Sequence, residues 1–170
     1  ITLDLFAQME PWYVALSIPQ FEIQRLGFSP TMGVDFHFLS RAKQAGSKKV
    51  ILELEKAEEQ VKLFSTLSQA EQESMMATTL EEVETMKEEL DDMVAAWQRG
   101  DTDAIEELVV MLPEDMGAKE AASSKAFHNK VFRNRNIKMA KKLLKMLKDG
   151  GNYLVIVGAG HLVGDDSIID

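Results

Sequence analysis

Asn152-Tyr153-Leu154-Val155-Ile156-Val157-Gly158-Ala159-Gly160-His161 is the stretch from which the fold class is read. Tyr153 to Val157 is an unbroken apolar run. It is aromatic at its start, β-branched at its end, and bounded by Asp149-Gly150-Gly151 before and by glycines after, the pattern of a buried strand. A second run of the same kind, Lys49-Val50-Ile51-Leu52-Glu53-Leu54-Glu55, comes soon after Gly46. Between the two, Ala57 to Leu112 carries helical periodicity almost throughout. Leu80, Val83, Met86 and Leu90 form one apolar stripe, with Glu81, Glu82, Glu84, Glu88 and Glu89 as its wet side. Ser68 with Glu71 has the spacing of a capping box. Ala118 to Asp149 reads as one more long helix. Helix, glycine, strand and helix again is the rhythm of a parallel α/β unit. The expected fold is therefore α/β and helix-rich: a central sheet with strands near 49–55 and 152–158, and a large helical insertion between them. Two strands do not make a stable sheet. Further strands are expected from outside these 170 residues or from another chain.

The N-terminal part is helical too. Leu3, Phe6, Ala7, Met9 and Trp12 recur at helical spacing, with Pro11 expected to end or kink the run. Pro19 and Phe28-Ser29-Pro30 punctuate the next segment. Gly33-Val34-Asp35 opens a helix with Phe36, Leu39 and Ala42, and Gly46 closes it. The opening on Ile1 and the ending on Ile168-Ile169-Asp170 suggest a single domain over 1–170 that is incomplete at its N-terminus and at its C-terminus.

Composition narrows the function classes. The chain is 45% hydrophobic with a net charge of −9. An acidic chain is a poor match to phosphate-dominated nucleic-acid binding. The basic residues from Arg133 to Lys148 follow helical spacing and read as a solvated face. No apolar run approaches the roughly 20 residues of a membrane span. With no cysteine, thiolate catalysis, cysteine-type zinc sites and disulfides are excluded.

A strand that runs into Gly158-Ala159-Gly160-His161 is the most specific feature. Ligands of parallel sheets bind beyond the carboxyl ends of strands. Glycines there permit close backbone approach or positive φ, so Gly158 and Gly160 are candidate ligand-binding positions. His161 could ligate a metal or move a proton; otherwise it orients the turn. Glu55 ends the other strand and would converge on His161, unless it caps the next helix. Glu53 lies on the same strand face. A carboxylate with an imidazole suits a divalent cation that activates water. Arg135, flanked by Asn134 and Asn136, could steady an oxyanion or bind a carboxylate. His37 and His128 lack metal-ligand spacing and read as packing or surface residues. The ten methionines follow the apolar stripes and read as core filler.

Taken in order, several stretches resemble the TraB/GumN family. Gly33 to Leu39 with Ala42 and Gly46, Val50 to Glu55 followed by Glu58-Glu59-Gln60, Arg135-Asn136 followed by Met139-Ala140, and Tyr153 to Gly164 are similar to its successive motifs. The resemblance implies a fold like that of the Tiki metallopeptidases and the erythromycin esterase/ChaN-like group. It implies a metal-dependent hydrolase, acting on peptide bonds of a peptide or protein substrate. Carried onto this chain, Gly158 and His161 correspond to the second GxxH motif, with His161 and Glu55 as ligands of a manganese, cobalt or zinc ion and Arg135 as the site arginine. The family's first GxxH, and the acidic residue after it, have no counterpart among these residues. Asn134 stands where an acidic residue often precedes the arginine, and Ser167 replaces a frequent glycine. The alternative that the resemblance implies is a protein that binds a peptide pheromone or haem without turnover. A homodimer and an extracytoplasmic location are further expectations.

Overall fold

The computed structural model describes residues 6–110 and 125–169. Leu3, Leu112, Pro113 and the expected helix start at Ala118 lie outside the described residues. The chain divides into two compact units, Ile1–Asp91 and Asp92–Asp170.

The first unit is helical. Helix α1 spans Pro11–Arg25. Pro11 stands at its first turn, where a missing N–H costs nothing, so it starts this helix. Pro19 lies inside α1 and does not interrupt it. The neighbouring Val14 and Ala15 are buried, and such packing holds a helix across a lost hydrogen bond. Helix α2 is Val34–Gln44, and Gly46 beyond it takes the left-handed φ of 63° that suits a glycine stop. Helices α3, Ala57–Ser65, and α4, Gln69–Glu82, come next. The capping box is formed: the Ser68 amide donates to Glu71 Oε2 at 2.7 Å and the Glu71 amide to Ser68 Oγ at 3.3 Å. Helix α1 packs mainly on α4 and also touches α3. Trp12 stacks on Phe64 with centroids 6.2 Å apart. The buried Gln72 donates to the Leu67 carbonyl at 3.0 Å and accepts from the Trp12 amide at 3.5 Å.

Helix α5, Met86–Arg99, runs across the boundary between the units. Glu82 ends α4 in an acidic neighbourhood. Its carboxyl is pushed above the usual range, first by burial and then by Glu89 and Glu81. A carboxylate raised in the folded state disfavours folding once ionised. Its penalty is absent below the unfolded pKa and grows as pH rises through the folded one. Glu82→Gln is therefore expected to stabilise the chain at neutral pH by about a few tenths of a kcal/mol, since the carboxyl is only partly desolvated and solvent screens its acidic neighbours. The gain should vanish in acid; an equal gain at all pH values in thermal melts would contradict this account.

In the second unit Gly100, with φ 68°, separates α5 from α6, Thr102–Val110. Asp101 Oδ1 caps α6 by accepting from the Ala104 amide at 3.2 Å. A π-helical turn, Asn129–Arg133, leads into α7, Asn134–Lys148. Gly150, φ 72°, ends α7 as expected.

The central sheet is not there. Residues 50–53 and 151–158 carry no ladder, and no strand occurs among the described residues. The backbone beside both segments is extended, with Lys49 at φ −123°, ψ 131° and Gly158 at φ −59°, ψ 145°. Extended geometry alone does not make a strand; its N–H and C=O groups need a neighbour to pair with. Val50 is 81% and Leu154 69% exposed, so these apolar runs are not buried either. The described residues form a set of helices carrying two extended segments outside any ladder, in place of the expected α/β sheet with a helical insertion. Among the described residues, buried apolar side chains are correspondingly few: Val14, Ala15, Leu67, Ala96, Ile105 and Met139. No helix among the described residues is long and apolar enough to cross a membrane.

Candidate functional site

The loop after residue 157 is tied to itself by short-range hydrogen bonds. Ala159–His161 forms one 3-10 turn, with the His161 amide donating to the Gly158 carbonyl at 2.9 Å. The Ser167 amide donates to the Gly164 carbonyl at 3.1 Å, and the Ile168 amide returns to the His161 carbonyl at 2.9 Å. His161 is thus held through both its backbone groups. Gly164, at φ 77°, takes the one left-handed conformation in this loop. Gly158 and Gly160 do not have positive φ.

The two glycines of the motif differ in their surroundings. A Cβ on Gly158 would meet nothing nearer than His161 Cδ2 at 3.9 Å. A Cβ on Gly160 would come within 3.0 Å of Val109 Cγ1 and 3.2 Å of Phe132 Cε1. Gly160 is therefore a seat on which the turn rests against α6 and the π-helical turn. The close approach that glycine permits here is to the protein's own side chains.

The His161 ring lies against Phe132, centroids 5.7 Å apart, and its Nδ1 is 2.6 Å from Asn136 Oδ1. Asn136 is 3% exposed and also donates from Nδ2 to the Asp166 carbonyl at 2.6 Å. Arg133 Nε donates to Asp166 Oδ1 at 2.9 Å, an exposed pair at the rim. A hollow of about 210 Å³ opens beside the loop. Gly160 and Asn136 contribute to its wall, with Glu106, Asp165 and Asp166 as its carboxylates and His128 as its imidazole. His128 packs on Phe132 at 5.2 Å. π-Helical turns are rare and collect at functional sites, and this one supplies Phe132 to the cluster.

Of the residues singled out in the sequence, Gly158, Gly160 and His161 share this loop. Arg135 is on α7, half-buried, and its guanidinium donates to the Val131 carbonyl at 2.9 Å. Glu55 is half-buried in a bend ahead of α3, in the first unit, whereas His161 belongs to the second. Glu53 is exposed, and His37 packs its ring edge on Phe38 at 5.1 Å. No group of three His, Asp or Glu able to hold a metal ion occurs among the described residues. Asn136 stands in the Arg135-Asn136 stretch that resembles the family, but the sequence reading gives it no role of its own. Its signal is slight: on the periodicity of α7 it shares the inward face with Met139, where an amide is unusual.

A model of the TraB/PrgY/gumN family matches residues 1–170. Two curated relatives are similar to the chain, each named uncharacterized protein YbaP, from Escherichia coli (strain K12) and Shigella flexneri. Each is 27% identical over 168 residues, covering 99% of this chain and 58% of the relative. The chain thus spans somewhat over half the length of the relatives it matches. No solved structure matches it.

Proposed function

The chain belongs to the TraB/PrgY/gumN family, and from that premise we propose that it carries part of the centre of a metal-dependent hydrolase of peptide bonds, with His161 as a working group. The observation that carries the reading is the pinned imidazole: His161 is fixed by its backbone and by a buried partner at 2.6 Å, and that partner, Asn136, lines a hollow with three carboxylates in its wall, to which His161 itself does not contribute. A histidine held in this way is suited to ligate a cation or to take a proton from water. Arg135 is the proposed group for a developing oxyanion or a substrate carboxylate. The substrate would be a peptide or protein, met outside the cytoplasm, and the protein would act as a homodimer.

The described residues alone do not fit a divalent cation. His161 offers one nitrogen, and a single imidazole falls short of the three protein ligands of a catalytic zinc site. Manganese, cobalt or zinc would each suit an imidazole joined by carboxylates, and the carboxylates that complete the set are part of the proposal.

The test is elemental analysis of the purified intact protein together with cleavage of a peptide library, with and without each of the three metals, for wild type and His161→Ala. Metal-stimulated cleavage that disappears in the variant is expected. A wild type that holds no metal and cleaves nothing would end the hydrolase reading. Peptide affinity without turnover, undiminished in His161→Ala, would replace it with a binding protein.

A further inference from the structure

We infer that Asn136 is a positioning residue that fixes the tautomer of His161, placing the proton on Nδ1 and the lone pair on Nε2; its bearing on catalysis rests on the reading of His161 as a working group. Asn136 is 3% exposed, and a buried side-chain amide must satisfy both of its ends. The two ends of an asparagine amide are nearly identical in shape and are told apart by their partners. Here one partner settles the assignment. The Asp166 backbone carbonyl can only accept, so the end 2.6 Å from it must be the NH2 group. The end facing His161 is then Oδ1, which can only accept. Nδ1 of His161, 2.6 Å away, must donate. A neutral imidazole that donates from Nδ1 carries its lone pair on Nε2.

The chain of constraint thus runs from a backbone carbonyl through a buried side chain to the choice of ring nitrogen. It is reinforced mechanically. The His161 amide and carbonyl are both bonded, Gly160 is seated against Val109 and Phe132, and the Phe132 ring lies 5.7 Å from the imidazole. Groups that hold the second nitrogen of a working histidine set its orientation and its basicity. Their loss typically costs about 10- to 100-fold in metal affinity or activity.

The experiment is long-range proton–nitrogen correlation on the chain labelled with nitrogen-15 at histidine, at a pH where the imidazole is neutral. The wild type should show His161 as the Nδ1–H tautomer. Asn136→Leu removes the acceptor and should give a mixture of tautomers. Asn136→Asp keeps an acceptor for Nδ1 while losing the donor to the Asp166 carbonyl, and should still favour the Nδ1–H form over the mixture seen with leucine. A wild-type His161 that carries its proton on Nε2 overturns the inference, whether or not the leucine variant folds. So does a folded Asn136→Leu with an unchanged spectrum. The tautomer is read without any turnover, so the two readings fail separately. An Nδ1–H histidine in a chain that cleaves nothing counts against the hydrolase alone. Cleavage by a chain with the other tautomer counts against Asn136 alone.

Discussion

Met139→Ala is expected to destabilise the second unit by about 2–5 kcal/mol, the range for large-to-small changes at buried positions. Met139 is 3% exposed and lies one turn beyond Asn136 on α7, on the face they share. Truncation leaves a void beside the amide that holds His161. A protein with a deep core could relax around such a void. Here, among the described residues, the apolar side chains buried in this unit are Ala96, Ile105 and Met139, so little is at hand to fill it. Met139→Leu keeps most of the volume and is expected to cost less than about 1.5 kcal/mol. Denaturant unfolding monitored by circular dichroism separates the two variants. Equal midpoints for alanine and leucine would mean that Met139 is not part of a packed core.

The helices of this chain are legible because their signals are local. Ser68 with Glu71 states a helix start within four residues, and the bonds at 2.7 and 3.3 Å form as that spacing predicts. Gly46, Gly100 and Gly150 each adopt the left-handed conformation that ends a helix. Pro19 misleads, because its penalty says nothing of the burial of Val14 and Ala15 that offsets it. The strands mislead for a different reason. Val50 to Leu54 and Tyr153 to Val157 have the composition of buried strands, but that composition records fit to a half-buried pleated surface, which only a neighbour can provide. Pairing is non-local, and nothing within either segment says where a partner lies. The candidate site is legible in the same uneven way. His161 stands out by its glycines. Asn136 does not, since an asparagine beside an arginine on a helix rich in lysine looks like one more solvated position. Its burial and its two partners appear only when the loop returns at Asp166.

The second large effect expected is at Gly160, where valine should cost about 1–3 kcal/mol through overpacking. A Cβ at this position would sit 3.0 Å from Val109 Cγ1 and 3.2 Å from Phe132 Cε1. Alanine already asks both neighbours to yield by about a few tenths of an ångström, and the γ-methyls of valine ask for more. What the neighbours do not yield, the loop must take up by lifting away from α6 and Phe132, which carries His161 off Asn136. Gly160→Val should therefore both lower the unfolding midpoint and disturb the Nδ1–H signal of His161. Gly158→Ala is the control. Its Cβ would meet only His161 Cδ2, at 3.9 Å, and its φ of −59° and ψ of 145° are open to any residue. A change of no more than about 0.5 kcal/mol is expected there, with the histidine signal intact. If Gly158→Ala proved as costly as Gly160→Val, the seat would have been assigned to the wrong glycine. The contrast also separates the two glycines of the Gly-x-Gly-His stretch: packing within the protein requires Gly160 and places no such demand on Gly158.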